Sequence, residues 1–504
     1  MIITKVFNGA HRTHNHTHIM KVAFHTLGCK VNHYETEAIK EAFVSRGAEI
    51  VGEEEFADVY IINTCTVTNI ADRKSRQFIR RAKRINPDAL LAVTGCYAQV
   101  SADEIAAMPE VDLVVGNGRK SEICGLVMQR LQDVSAAESA AAENTSAVTK
   151  NTSDAVRSES SSKKHADVLV LPREELTFYE DMGRIKAGSD GMTRAYIKIQ
   201  DGCDRFCSYC LIPYARGPVR SRPAAEIVEE VRALVEAGHR EIVLTGINTA
   251  LYGTEAGAEH SLSQLLTMLD ELDAPSGRDF RIRLSSLEPT VVDKDNVEEI
   301  IRHRRLCHHL HLSVQNGSDA VLKSMNRHYT RAEYLEIVRA LRDYDEDFGI
   351  TTDIIVGFPG ETEEDFRDTL DIVKEAFFGK THVFRYSPRK GTAGAKLKAA
   401  VPEEVKKERA GILEESAEEV ARDFRLSITG KEQTVLIEEE EDGYLTGYTG
   451  NYIKAYIKAA ESAELGKGVS CDSSLSVKTP EPGEFCKVIP TGLFRDGVLA
   501  SQVR

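Results

Sequence analysis

Cys203, Cys207 and Cys210 stand in a Cys-x₃-Cys-x₂-Cys spacing within DGCDRFCSYC. Three thiolates on one tight loop can point at a common centre, and they leave a tetrahedral or cubane metal site one ligand short. A structural zinc needs four closed ligands, whereas a four-iron cluster held by three cysteines keeps one iron open to a small molecule. The strand-like run before the triplet and the aromatic residues Phe206 and Tyr209 favour the cluster. Cys29, Cys65 and Cys96 are too far apart in sequence for a local metal motif, yet each follows a strand-like run: HTLGC, INTC and VTGC. In an open parallel sheet the C-terminal strand ends share one edge, where ligands bind. These three cysteines can therefore converge in space; the alternative is three buried strand cysteines.

Positioning such residues takes alternating strands and helices. Residues 21–27, 58–62, 90–94 and 111–115 read as strands, and residues 34–46 and 68–84 as helices. A second series places strands at 194–200, 241–245, 281–285, 309–314, 352–356 and 381–386. Between them, Ile227, Val228, Val231, Leu234 and Val235 form the clearest helical stripe. Alternation of this kind implies parallel strands with crossover helices. The fold class is thus α/β: a doubly wound parallel sheet over residues 20–131, then a partial (β/α) barrel over 166–425. The chemistry of such barrels sits at the C-terminal strand ends. Residues 402–425 read as a charged helix that bridges outward, and residues 426–504 as a small β-barrel with glycine turns. Residues 132–165 are Ala, Ser, Glu, Asn and Thr with almost no large apolar side chain, the composition of a flexible linker. Residues 1–19 read as a disordered extension or an early start codon before Met20, although His11, His14, His16 and His18 also fit a small metal tract.

Composition bounds the function. The 504 residues carry 64 basic against 79 acidic side chains, a net charge of −15, so the chain is not a bulk polyanion binder. Any contact with nucleic acid needs local basic patches. One candidate is the helix 68–84, with Arg73, Lys74, Arg76, Arg80, Arg81, Lys83 and Arg84 against Asp72; a second is the loop with Arg216, Arg220 and Arg222. Either can track phosphates, and the helix can equally be a solvated face. No apolar window is long enough for a membrane span, and no N-terminal stretch has the apolar core of a signal peptide, so a cytoplasmic protein is expected. In that compartment ten cysteines point to metal or catalytic thiols more than to disulfides.

The triplet resembles the signature of radical S-adenosylmethionine (SAM) enzymes. In that family SAM chelates the open iron, and the reduced cluster cleaves it to a 5′-deoxyadenosyl radical. The resemblance implies SAM contacts at the strand ends carrying Thr245, Asn248, Ser285, Glu288, Ser313 and Asn316. The contexts TLGCKVNHYETEA, NTCTVTNIADRKSRQ and TGCYAQ resemble the N-terminal domain of methylthiotransferases, in which the three cysteines hold a second 4Fe–4S cluster that takes part in sulfur delivery. DGYLTGYTGNYIK resembles the TRAM module, a small RNA-binding barrel, with Tyr444, Tyr448 and Tyr452 as stacking surfaces and residues 459–483 as an insertion. Cys124, Cys307, Cys471 and Cys486 are incidental on this reading.

GCKVNHYETEA, ADRKSRQFIRRA and PYARGPVRSRP look most like the branch that methylthiolates C2 of N6-threonylcarbamoyladenosine beside the tRNA anticodon. His33 and Asn316 depart from the Gln and Ser expected there. The implied partners are a tRNA anticodon stem-loop, an electron donor and a sulfur source, with no membrane. Arg220 is expected to clasp the substrate's carboxylate with two hydrogen bonds. Other targets remain: isopentenyladenosine in tRNA, or an aspartate of a ribosomal protein. An iron–sulfur RNA-binding protein without catalysis is the alternative of another class.

Overall fold

The computed structural model describes residues 19–148, 166–183, 185, 193–274, 279–289, 294–458 and 479–503. Two compact units divide the chain: Met1–Ile185 with Leu211–Pro218, and Lys186–Cys210 with Val219–Arg504.

In the first unit six parallel strands pair in the order Glu49–Val51, Lys21–Thr26, Val59–Thr64, Leu90–Gly95, Leu113–Val115, Asp167–Leu169. Helices cover both faces. Ile39 and Phe43 of Lys30–Val44 pack on one side with Ile123 and Val127 of Ile123–Val148. Phe78, Ile79 and Ala82 of Asn69–Ile85 pack on the other. The central strands Val59–Thr64 and Leu90–Gly95 are accordingly buried at every position, which is why they read as continuous apolar runs. Strand order reverses around Lys21–Thr26 and Val59–Thr64. That switch point opens a crevice at the carboxyl edge.

The sheet corrects two expected boundaries. Asp167–Leu169, read as the start of the central domain, is the edge strand of the first unit, paired with Leu113–Val115. Helix Ile123–Val148 runs through the first half of the expected linker, because alanine has the highest intrinsic helix propensity. Residues 1–18 and 149–165, expected to be disordered or flexible, lie outside the described residues.

The second unit contains the expected partial barrel. Arg194–Lys198, Glu241–Thr245 and Arg281–Leu284 form one parallel sheet. The short strand Ser286–Leu287, His309–Leu312, Gly349–Val356 and Lys380–Arg385 form a second parallel sheet. Alternate residues such as Ile197, Leu244, Ile282, Leu310 and Ile354 join the apolar core shared with the helices. The intervening residues face the other way and are mostly polar.

At the N-terminal strand ends Glu241 is ion-paired to Arg281, Arg283 and Arg194. A closed five-stranded barrel covers these groups; its strands are Gln433–Glu441, Tyr444–Thr449, Lys454–Lys458, Phe485–Phe494 and Gly497–Gln502. Arg281 donates to the Tyr448 carbonyl at 2.9 Å and Arg283 to the Gly450 carbonyl at 3.1 Å. Tyr448 and Tyr452 stack on each other beneath Arg194, with Tyr452 also under Arg283. These two tyrosines were expected to offer RNA-stacking surfaces; instead their faces are taken by guanidinium groups of the (β/α) barrel. Tyr444 packs against Phe494 and Tyr456. The expected outward helix is also corrected: Glu403–Ser427 places Leu413 and Val420 in the (β/α)-barrel core and Phe424 in the C-terminal core. The expected insertion falls largely on residues 459–478, outside the described residues.

Candidate metal centres

In the first unit the strand ends gather Cys29, Cys65 and Cys96. Cys29 is the N-cap of helix Lys30–Val44, Cys65 follows Val59–Thr64, and Cys96 opens helix Cys96–Val100. Two glycines make the approach possible. Gly28 has φ +121°, and a Cβ there would lie 2.8 Å from Asn32 Nδ2 and 3.0 Å from the Cys65 Cβ. Gly95 has φ +99°, and its Cβ would meet the Thr64 carbonyl at 2.2 Å. Burial pushes the Cys65 thiol up to about 12, and the neighbouring Cys96 and Cys29 sulfurs add to the rise. A buried thiol of that kind stays protonated at neutral pH unless a metal takes the place of its proton. The three sulfurs are free of disulfides, and as a donor set they fit an iron–sulfur cluster.

The pocket also holds groups that sequence reasoning missed. Arg216, fully buried, donates from Nε to Cys96 Sγ at 3.3 Å, and Asn117 Nδ2 lies 3.8 Å from the same sulfur. Glu35 pairs with both Arg216 and the buried Lys120. Arg216 was expected to be part of a phosphate-tracking loop, as was Arg222. Both are buried, Arg222 against Glu230, and so is Arg220 of the same loop, so the three do not line an exposed phosphate track.

In the second unit Cys203, Cys207 and Cys210 follow the short strand Gln200–Asp201. The loop is tightly held. Phe206 adopts φ 48°, in the left-handed region, and Asn326 Nδ2 donates to the carbonyls of Arg205 and Phe206 at 3.2 and 3.1 Å. Burial pushes the Cys203 thiol up to about 12. It raises Cys207 too, against the opposing pull of Arg327. Arg327, with no local motif to signal it, donates to Glu288 at 2.6 Å and reaches Cys207 Sγ at 3.6 Å. This donor set, three sulfurs with one cation, fits a cluster as well.

The expected SAM-contact residues divide into two groups. Asn248 Nδ2 donates to Glu288 at 3.1 Å, and the Asn248 backbone N–H donates to Gln200 Oε1, tying their strand ends to the cysteine loop. The Ser313 carbonyl accepts from Arg327. The Thr245 and Ser285 side chains are buried at neighbouring strand ends. Asn316 is the exception. It is fully buried, and its amide is spent on the Ile355 carbonyl, Glu361, the Ser318 amide and Thr369. With both donors and both lone pairs used, Asn316 orders its loop and does not face a ligand.

Arg220 is buried and lies 3.5 Å from Asp201, a carboxylate also bound by Lys198 at 2.6 Å. On the basic helix Arg73, Lys74, Arg80 and Arg81 are exposed, and Arg81 pairs with Glu54. Arg76 departs from the expectation: it turns inward to Tyr97 Oη at 2.6 Å and Glu104 at 3.1 Å. Sequence reading also missed His311, Asp353 and His382, whose ligand-type atoms lie within 4.8 Å of one another on three adjacent strands. Burial raises the Asp353 carboxyl, but the bonds from His311 and Ser313 together with the charges of His311 and His382 outweigh it and hold the group below its usual range.

Comparison with known proteins fits both centres. Residues 197–373 match the Radical SAM superfamily, and residues 21–116 match the uncharacterized protein family UPF0004. The chain is 39% identical over 473 residues to threonylcarbamoyladenosine tRNA methylthiotransferase MtaB of Bacillus subtilis, covering 93% of this chain and 97% of that one. The enzyme of the same name from Aquifex aeolicus is 39% identical over 448 residues, covering 89% and 98%. A tRNA-2-methylthio-N(6)-dimethylallyladenosine synthase of Geobacillus kaustophilus is 34% identical over 439 residues, covering 85% and 75%. Among the described residues no helix is long and apolar enough to cross a membrane. With two three-cysteine centres, a parallel sheet, a partial barrel and near full-length identity to these relatives, the chain belongs to the threonylcarbamoyladenosine tRNA methylthiotransferase family.

Proposed function

We propose that this protein replaces the C2 hydrogen of N6-threonylcarbamoyladenosine-37 in tRNA with a methylthio group, using SAM and two 4Fe–4S clusters in the cytoplasm. The observation that carries the reading is the pair of incomplete thiol sets, Cys29, Cys65 and Cys96 in one unit and Cys203, Cys207 and Cys210 in the other. It is supported by near full-length similarity to enzymes named for that substrate. When bound, such clusters supply one-electron chemistry and an open iron for a sulfur or SAM ligand. The chain's own residues do the rest. Arg327 neutralises Glu288 beside Cys207, and Gln200 fixes the cysteine loop against Asn248. The closed C-terminal barrel is the TRAM-like module. An electron donor and a sulfur source complete the reaction.

Two experiments test this. Mass spectrometry of tRNA nucleosides from a deletion strain should show loss of the 2-methylthio group from threonylcarbamoyladenosine; loss from isopentenyladenosine instead would move the substrate to the other branch. Anaerobic reduction with SAM should release 5′-deoxyadenosine, which a non-catalytic RNA-binding protein would not do.

Arg220 remains the proposed contact for the threonyl carboxylate, working from its buried seat beside Asp201. Arg220→Val should lower methylthiolation about tenfold or more, the worth of a charge-assisted bond, and lower SAM cleavage much less. Equal losses would refute the contact. Arg73, Lys74, Arg80 and Arg81 are the proposed phosphate-binding side chains. Replacing all four with Gln should weaken tRNA binding and flatten its salt dependence, by about 0.7–0.9 in slope for each phosphate that is no longer neutralised. An unchanged slope would leave them a solvated face.

A further inference from the structure

The residues that directly follow Cys210 do not fold with it. Leu211–Pro218 belongs to the first unit, where the short helix Ile212–Arg216 delivers Arg216 to the Cys29, Cys65 and Cys96 centre. The guanidinium is held on three sides. Nη1 donates to Glu35 Oε1 at 2.6 Å, Nη2 donates to Asn32 Oδ1 at 2.6 Å and to Glu35 Oε2 at 3.1 Å, and Nε points at Cys96 Sγ at 3.3 Å. Asn117 anchors the segment by donating to the Ala215 carbonyl at 2.7 Å while approaching the same sulfur. Glu35 is shared with Lys120, and the three charged side chains are all at most 1% exposed.

Arg216, which is always charged, shares the Glu35 carboxylate with Lys120, a second basic group whose charge burial disfavours. A buried guanidinium that shares its carboxylate and aims its Nε–H at a sulfur favours a further anion at that sulfur. Three cysteinates around an iron–sulfur core supply one. Hydrogen bonds to cluster sulfurs and nearby positive charge set reduction potentials. We propose that Arg216 is a positioning residue for the cluster of Cys29, Cys65 and Cys96: its Nε–H bond to Cys96 and its charge raise that cluster's reduction potential, with Glu35 as the counterweight. This inference rests on the proposed function, which puts a 4Fe–4S cluster on these three cysteines. The stretch of chain that leaves the radical-SAM cysteines thereby tunes the other centre.

The test uses the full chain with Cys203, Cys207 and Cys210 changed to Ala, so that a single cluster gives the signal. After anaerobic reconstitution, iron and sulfide are counted and the midpoint potential is followed by electron paramagnetic resonance. Arg216→Gln should shift the reduced-to-oxidised ratio at fixed potential at least tenfold toward oxidised, a fall of about 59 mV for one electron. Glu35→Gln should shift it the opposite way, because the positive charge loses its partner. Arg216→Lys, which keeps the charge without the planar fork, should fall between wild type and Arg216→Gln. A purely structural role does not produce opposite signs, so equal potentials in cluster-loaded Arg216→Gln and Glu35→Gln overturn the proposal while leaving the function intact. If Arg216→Gln retains no iron, Arg216→Lys and Glu35→Gln carry the same comparison. If the parent itself binds no iron, the cluster assignment fails, and the proposed function with it.

Discussion

Cys65→Ala protein, reconstituted anaerobically, is expected to hold about four irons where the parent holds about eight. It should make no methylthiolated tRNA, yet still release 5′-deoxyadenosine from SAM. The expectation follows from geometry. Cys65 sits buried at the end of Val59–Thr64, against Gly28 and near the Cys29 and Cys96 thiols. Without it only two sulfurs remain, too few to hold a four-iron cluster that normally takes four ligands. Cys203, Cys207 and Cys210 belong to the second unit, so their centre should load independently. Cys207→Ala should give the complementary result, with about four irons retained and no 5′-deoxyadenosine. Full iron content in Cys65→Ala, or methylthiolation by it, would remove the second cluster from the mechanism.

The largest stability effect is expected at the base of the barrel. Glu241 is fully buried and bonded to Arg281 Nε at 2.6 Å and Arg283 Nε at 2.9 Å, with Arg194 Nε 3.5 Å away. Burial alone would raise its carboxyl, but Arg283 and Arg281 outweigh that and hold it far below the usual carboxylate range. Glu241→Gln leaves the guanidinium groups facing one another without their shared anion. Breaking a buried pair from one side costs about 3–5 kcal/mol, a fall in Tm on the order of 10 °C for a unit of this size. The pH dependence has a definite sign. A carboxyl whose folded-state pKa is depressed contributes stability that is fully present above its unfolded value and is lost as pH falls through the folded one. Acid destabilisation of the wild type should therefore include this group from the ordinary glutamate range downward, until pH falls through the depressed folded value, and Glu241→Gln should lose that part of the slope. Differential scanning calorimetry across pH checks both, and a Tm change within 2 °C, the effect of at most about 1 kcal/mol, would show the cluster to be weakly coupled.

What was legible in the sequence was local or periodic. The Cys-x₃-Cys-x₂-Cys spacing pointed to one candidate donor set, because three thiols within eight residues can reach only one centre. The second set was legible through strand logic: three cysteines placed just after apolar runs meet at one edge if the strands are parallel, and adjacent parallel strands carry them here. Composition misled where burial decides. The alanine-rich stretch after residue 131 read as linker because it lacks large apolar side chains, yet helix Ile123–Val148 crosses into it. Arg76, Arg216 and Arg222 read as a phosphate patch because sequence shows a charge but not its partner.

Tertiary structure alone supplied those partners. Glu35 and Arg216 are 181 positions apart and meet at 2.6 Å; Arg327 comes to Cys207 from 120 positions downstream; Tyr452 closes over Arg283 from a separate barrel. Thiols declare metal chemistry by type and spacing, since few other roles place so many of them at strand ends. A guanidinium or a carboxylate has many roles, and only the fold brings it close enough to an opposite charge, out of water, for one of them to dominate.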